Sequence, residues 1–387
     1  MLCPRSDYPL YKRKQINYYI MKRLYRLFNF LLIPGMLLIL TQCSSDTKEK
    51  KSGTAELSQA NIRDAAIRAA RWSLDNNLDG MGYHNMCAAY GILKVAAATG
   101  NDSLRKAVEI RFRPELMEGV SPHRDNASNY PPHQWFGFVP LELYRQTENP
   151  LYLKRGLEMA EEQFHNPDEN GMPSYTSRMY VDDIYGATTM QSLAYACTGD
   201  VEYLDRAVRQ ILFYSEKFMQ EAGLFYHNVE EAPHFWGRGN GWCAAAYAEL
   251  FNVMPADHPQ MDRVLSYYKR MMEVLLKYQG SDGMWYQLID DHESWPESSC
   301  TSMFLFSMTE GVRLGLLQKQ IYSDPVQKAW HGLSKYIDEE WRITQVCAGT
   351  SFGDRNWYLN RPRLTGDPHG QAALLWAASS LVKPIPK

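Results

Sequence analysis

TGDVEYLDRAVRQILFY, Thr198 to Tyr214, sets apolar residues at helical spacing behind a Thr-Gly-Asp turn, the pattern of an amphipathic helix start. The phrase stands twice upstream, as TGNDSLRKAVEIRF from Thr99 and TENPLYLKRGLEMAEEQF from Thr147, at spacings of 48 and 51 residues. Fainter echoes follow in HPQMDRVLSYYKRMMEVLLKY and SDPVQKAWHGLSKYI. A period of this length marks a repeated helical hairpin.

More apolar helices alternate with these: NMCAAYGILKVAAA, WFGFVPLELYR, IYGATTMQSLAYAC, GWCAAAYAELFNVM, CTSMFLFSMTEGVRLGLL and HGQAALLWAASSLV. A helix apolar nearly all round must be enclosed by others. Six enclosed helices alternating with six half-exposed ones, the first being AELSQANIRDAAIRAARWSLDNN, predict an all-α (α/α)6 toroid. An open helical array uses similar hairpins and is the competing architecture.

The chain has 387 residues, 45% apolar, with a net charge of −3, so it can bury a large core and carries no basic stripe for nucleic acid. Residues 1–42 read as a lipoprotein signal segment with its true start at Met21: basic MKRLYRLFNF, apolar LLIPGMLLIL, then TQCSSD with Cys43 as the lipidated residue. A polar tether over 43–55 would join this anchor to a single catalytic domain over 56–387. The expected location is the periplasm or cell envelope, at the outer membrane. Cys87, Cys197, Cys243, Cys300 and Cys347 are scattered among apolar residues and read as buried thiols. No metal-ligand spacing, P-loop or dinucleotide fingerprint appears, and no cofactor is expected.

In a toroid the segments leading into the inner helices share one mouth. They are GMGYHN, NYPPHQ, YVDD, FWGRGN, SWPESS and LTGDPH, and they bring together His84, His133, His369, Trp236, Trp295, Asp182, Asp183 and Asp367. Polar and aromatic residues gathered at one end of a barrel point to a ligand site. In FWGRGNGW, residues 235–242, three glycines predict a tight loop close to a ligand, Trp236 and Trp242 suit stacking on sugar rings, and Arg238 suits bidentate pairing with a carboxylate. The free N–H groups of several helix starts also favour an anion. An anionic oligosaccharide is the expected partner.

Taken in order, YVDDIYG, TGDVEYLDRA followed by GLFYHN, WGRGNGW, ESSCTSMF and GDPHG resemble glycoside hydrolase family 105, the unsaturated rhamnogalacturonyl hydrolases, related to the unsaturated glucuronyl hydrolases of family 88. The resemblance runs from about residue 60 to the C-terminus. It implies an (α/α)6 barrel removing a 4,5-unsaturated uronic acid from the non-reducing end of lyase-generated oligosaccharides, with rhamnogalacturonan, arabinogalactan side chains and ulvan among the parent polymers. Asp182 matches the catalytic Asp, and Arg238, Trp242 and His227 match substrate-binding positions; Trp236 and Asn240 complete that motif. The family's second Asp is absent from PPHQWFG, where Gln134 or His133 stands instead and Asp125 is a more distant substitute. A His upstream of the catalytic Asp is missing from GMPSYTSRMY.

The implied chemistry is hydration of a vinyl ether. One carboxyl protonates C4, water adds at C5, and the same carboxylate takes the water's proton. Asp183 is the expected neighbour to tune Asp182. Two other readings keep the toroid: inverting hydrolysis of a saturated uronoside by Asp182 with Glu297 or Asp367, and a glycan-binding lipoprotein without chemistry.

Overall fold

The computed structural model describes residues 59–117, 135–165, 167–168, 171–173 and 180–383, all within the compact unit Ala55–Lys387. The expected signal segment, the Cys43 anchor, the tether, Asp125, His133 and Gln134 lie outside the described residues. No helix among the described residues is long and apolar enough to cross a membrane.

The repeated turns close one helix and open the next. Gly100 (φ 63°) and Gly199 (φ 72°) end inner helices in the left-handed conformation, which glycine adopts without a Cβ penalty. In the middle copy Glu148 takes that position at φ 57°. The following residue caps the outer helix: Asn101 Oδ1 accepts from Leu104 N, Asn149 Oδ1 from Leu151 N and Asp200 Oδ1 from Glu202 N.

The helices so formed, with the short pieces between them, are α1 (Gln59–Asn76), α2 (Tyr83–Thr99), α3 (Asp102–Arg111), α4 (Arg113–Met117), α5 (Phe138–Thr147, after a 3-10 turn at Trp135–Gly137), α6 (Pro150–Gln163), α7 (Asp183–Thr198), α8 (Val201–Phe218), α9 (Gly237–Phe251), α10 (Met261–Tyr278), α11 (Ser298–Arg313), α12 (Lys319–Ser334), α13 (Arg355–Leu359) and α14 (Pro368–Val382). Inner helices α2, α5, α7, α9, α11 and α14 each pack on the next, and α14 closes onto α2. That closure makes the architecture an (α/α)6 toroid and rules out the open array. The amphipathic α1, α3, α6, α8, α10 and α12 form the outer ring. A two-residue antiparallel ladder, β1 (Val346–Cys347) with β2 (Arg363–Leu364), lies in the long connection from α12 to α14.

The glycines of FWGRGNGW correct one expectation. They lie inside α9 rather than in a loop, because the helix starts at Gly237. A Cβ on Gly237 would sit 2.6 Å from the Tyr286 carbonyl oxygen, and one on Gly241 2.6 Å from Met303 Sδ of α11. They bring inner helices together, not backbone to ligand.

The lumen is filled in layers. Beneath the mouth, Trp135, Tyr185, Trp242 and Trp376 pack ring on ring, with Tyr185 stacked on Trp376 at 4.9 Å. Toward the C-terminal ends of the inner helices, Lys94 of α2 reaches across the ring to Glu249 of α9 at 2.7 Å, both buried.

Candidate active site

The N-terminal ends of α7, α9 and α14 bring residues far apart in sequence to one mouth. Asp182 holds the N-cap position of α7, yet its side chain makes no capping hydrogen bond. Other acidic caps are spent on backbone: Asp367 on His369 N, and Glu297 on Ser299 N and Cys300 N. Asp182 instead turns Oδ2 toward His227 Nε2, 3.5 Å away. Asp182 Oδ2, His227 Nε2 and Arg238 Nε are each buried without a hydrogen-bond partner. Orphaned polar atoms are rare in folded interiors, and a group of them marks a functional site.

Asp183 is fully enclosed. Burial first, then the neighbouring Asp182, pushes its carboxyl well above the ordinary carboxylate range. The expectation that Asp183 tunes Asp182 through its charge therefore inverts: Asp183 is the carboxyl whose charge is suppressed. A carboxyl raised on folding contributes stability that is present below its unfolded value of about 3.8 and lost as pH rises through the raised one. Asp183→Asn is expected to abolish that decline, so urea unfolding midpoints of the variant should gain on wild type as pH increases.

Arg238 is buried, and its two terminal nitrogens donate to the carbonyls of Cys347 (2.5 Å) and Ala348 (3.1 Å). Burial opposes its charge, while Cys347, Glu297, Tyr83 and Asp182 more than offset it and hold it above the usual range. The sequence expectation of a bidentate substrate clamp is corrected here, since the fork is already engaged and only Nε remains unpaired. Arg238 instead places a fixed positive charge behind the mouth.

Both tryptophans are interior. Trp236 packs on His227 at 4.4 Å, lies under the Arg238 guanidinium at 4.7 Å, and donates to Gln287 Oε1. Trp242 belongs to the aromatic layer. With 1% and 0% of their surface exposed, neither offers a face to a sugar, which corrects the stacking role expected of them. Asn240 is corrected as well. Its amide accepts from Phe225 N and donates to the carbonyls of Phe225 and Trp236, so it pins two loop segments together. His227, expected to touch substrate, is 1% exposed and aims at Asp182.

A second set at the same mouth was legible only as loops. Asp367 accepts from His369 Nδ1 at 2.7 Å, and His369 Nε2 lies 2.8 Å from the Tyr83 hydroxyl. His84 stacks on His369 at 5.1 Å. Burial, then His369 and Arg238 against the opposing Asp367, lowers His84 to about 4; burial and Arg238 lower His369 too. Both shifts favour the neutral ring, and a carboxylate partner at Nδ1 leaves His369 Nε2 as acceptor for the Tyr83 proton. GMGYHN and LTGDPH named these loops, but nothing in the sequence paired them. Tyr358 and Phe352, which pack on His227, belong to no loop singled out by sequence.

Glu297 is closed to catalysis. Its carboxylate oxygens accept from Ser299 N and Oγ, Cys300 N and Cys347 N, and it is wholly buried. Inverting hydrolysis through Asp182 and Glu297 thus lacks its second group.

One mouth of the closed ring thus gathers a carboxylate unused as a cap, an imidazole and a buried guanidinium. Residues 57–384 match the family described as Glycosyl Hydrolase Family 88, and the chain belongs to it. A 160-residue stretch is 33% identical to the unsaturated 3S-rhamnoglycuronyl hydrolase of Alteromonas sp. (strain LOR), covering 38% of this chain and 39% of that protein. The match to the unsaturated rhamnogalacturonyl hydrolase YesR of Bacillus subtilis (strain 168) is 23% identical over 68% of this chain and 78% of that protein. Among solved structures, a family 105 glycoside hydrolase of C. acetobutylicum ATCC 824 superposes with a TM-score of 0.72 at 21% identity, covering 83% of this chain and 98% of that one. A family 88 glycosyl hydrolase from Bacteroides vulgatus superposes at 0.71 and 20% identity, covering 84% and 99%.

Proposed function

We propose that this glycoside hydrolase removes a 4,5-unsaturated uronic acid from the non-reducing end of lyase-generated oligosaccharides, with Asp182 as acid and then base. The observation that carries the reading is the Asp182 carboxyl, set at a helix N-terminus, unused as a cap and faced by His227. In its protonated form it gives its proton to C4 as the double-bond electrons form the new C–H bond. The positive charge left at C5, shared with the ring oxygen, accepts a water molecule, whose spare proton returns to Asp182. The hemiketal then opens and releases the remaining sugar. One carboxyl is sufficient, which suits a mouth where Glu297 is sealed as a helix cap.

Arg238 contributes charge without contact, favouring the substrate carboxylate at the mouth. Both relatives above are rhamno-uronyl hydrolases by name, and an uronyl residue linked to rhamnose is the substrate class this reading favours. The test is ultraviolet absorbance of the conjugated double bond. Lyase-generated rhamnose-containing disaccharides should lose it on incubation, and their saturated counterparts should remain intact. Release of sugar from the saturated compound, or unchanged absorbance across the unsaturated panel, would overturn the reading.

A further inference from the structure

His227 stands between two oxygens. Its Nε2 lies 3.5 Å from Asp182 Oδ2, and its Nδ1 lies 2.6 Å from the Tyr358 hydroxyl. The ring is fixed in place by Trp236 at 4.4 Å, by the edge of Phe352 at 4.8 Å and by Tyr358 itself. In an imidazole with one ring proton, the partner at one nitrogen decides which nitrogen carries it.

Tyr358 settles that choice. Its side chain is wholly buried, and its hydroxyl lies at hydrogen-bond distance from His227 Nδ1. A phenol has one proton to donate, and a buried one needs an acceptor. His227 Nδ1 is the partner in reach, so the imidazole proton belongs on Nε2, facing Asp182. The segment that carries Tyr358 also supplies the Cys347 and Ala348 carbonyls that hold Arg238, so one stretch of chain positions both groups behind the acid.

We propose that Tyr358 is a positioning residue that fixes His227 with its proton on Nε2, so that His227 donates to the Asp182 carboxylate as it forms during proton transfer. This rests on the reading of Asp182 as the acid. Proton transfer to C4 leaves negative charge on Asp182, and a donor already aimed at it stabilises that charge with little rearrangement. His227 keeps its proton throughout and makes no bond to substrate.

Two measurements test this. Nitrogen-15 NMR of the full protein, with the His227 resonances assigned by their loss in His227→Gln, should show a protonated Nε2 and an unprotonated Nδ1. The reverse pattern overturns the proposal whether or not any substrate is turned over, and so separates its failure from that of the acid assignment. In Tyr358→Phe the ring still packs but no longer donates. The expected result is a kcat lower by about 10- to 100-fold with KM little changed. The alkaline limb of the pH–rate profile should move to higher pH, because the carboxylate has lost a donor. The other charged and titratable groups around the pair are Asp183 and Tyr180 at the start of α7, Arg238 and Cys243 of α9, His234, and His369 of α14. All are unchanged in the variant, so a moved limb reports His227. A folded Tyr358→Phe enzyme with wild-type kcat, or with lower kcat and both limbs in place, would reduce Tyr358 to packing. If the variant does not fold, the NMR result on the wild-type protein decides.

Discussion

Asp182→Asn is expected to cut kcat on an unsaturated disaccharide by about a thousand-fold while leaving the thermal midpoint unchanged. The amide has the shape of the carboxyl but no proton acidic enough to give to C4. Stability should hold because Asp182 makes no capping hydrogen bond, so the helix N-terminus loses nothing that Asn fails to replace. Asp183→Asn is the matched control. Burial raises the Asp183 carboxyl and disfavours its charge, so an uncharged amide there should retain most of the activity. If the two variants exchange behaviour, Asp183 is the acid and the proposed chemistry moves by one residue. If both turn over at the wild-type rate, the chemistry lies elsewhere.

The second large effect concerns the far end of the barrel. Lys94 and Glu249 lie on opposite inner helices and are buried together, with Tyr90 donating to Glu249 Oε2 and the ammonium over the Tyr90 and Phe306 rings at 4.6 and 5.0 Å. Breaking a buried pair by removing one partner leaves an uncompensated charge. Glu249→Leu should therefore cost about 3–5 kcal/mol in urea unfolding. Burial already lowers Lys94 against the opposing Glu249, so without its partner the amine deprotonates readily in the folded state. A depressed lysine binds fewer protons folded than unfolded, so the variant should regain stability as pH rises toward 10.5. The double variant Lys94→Met with Glu249→Leu should recover most of the loss, since apolar groups of similar size remove both desolvation penalties. A single variant that costs under about 1 kcal/mol would show that water reaches the pair.

The alternation of enclosed and amphipathic helices was legible because helical periodicity is local. The repeated Thr-Gly-Asn/Asp turns were legible for the same reason, since each satisfies its own backbone within a few residues. That FWGRGNGW adjoins the site was also legible, but its glycines were misplaced. A glycine needed for a turn and one needed for close helix packing look the same in sequence, and the difference is made by Tyr286 and Met303 pressing on α9.

What the sequence determined by itself is the class of fold and the loops that meet at one mouth, with Asp182 singled out there by its match to the family's motif. The tertiary structure alone decided that the ring closes, that Trp236 and Trp242 are walls rather than platforms, that carbonyls 109 and 110 residues away occupy Arg238, and that Tyr358, 131 residues from His227, meets that imidazole. Periodicity fixes which side of a helix is buried. Which atoms meet there depends on chain segments brought together only when α14 packs against α2.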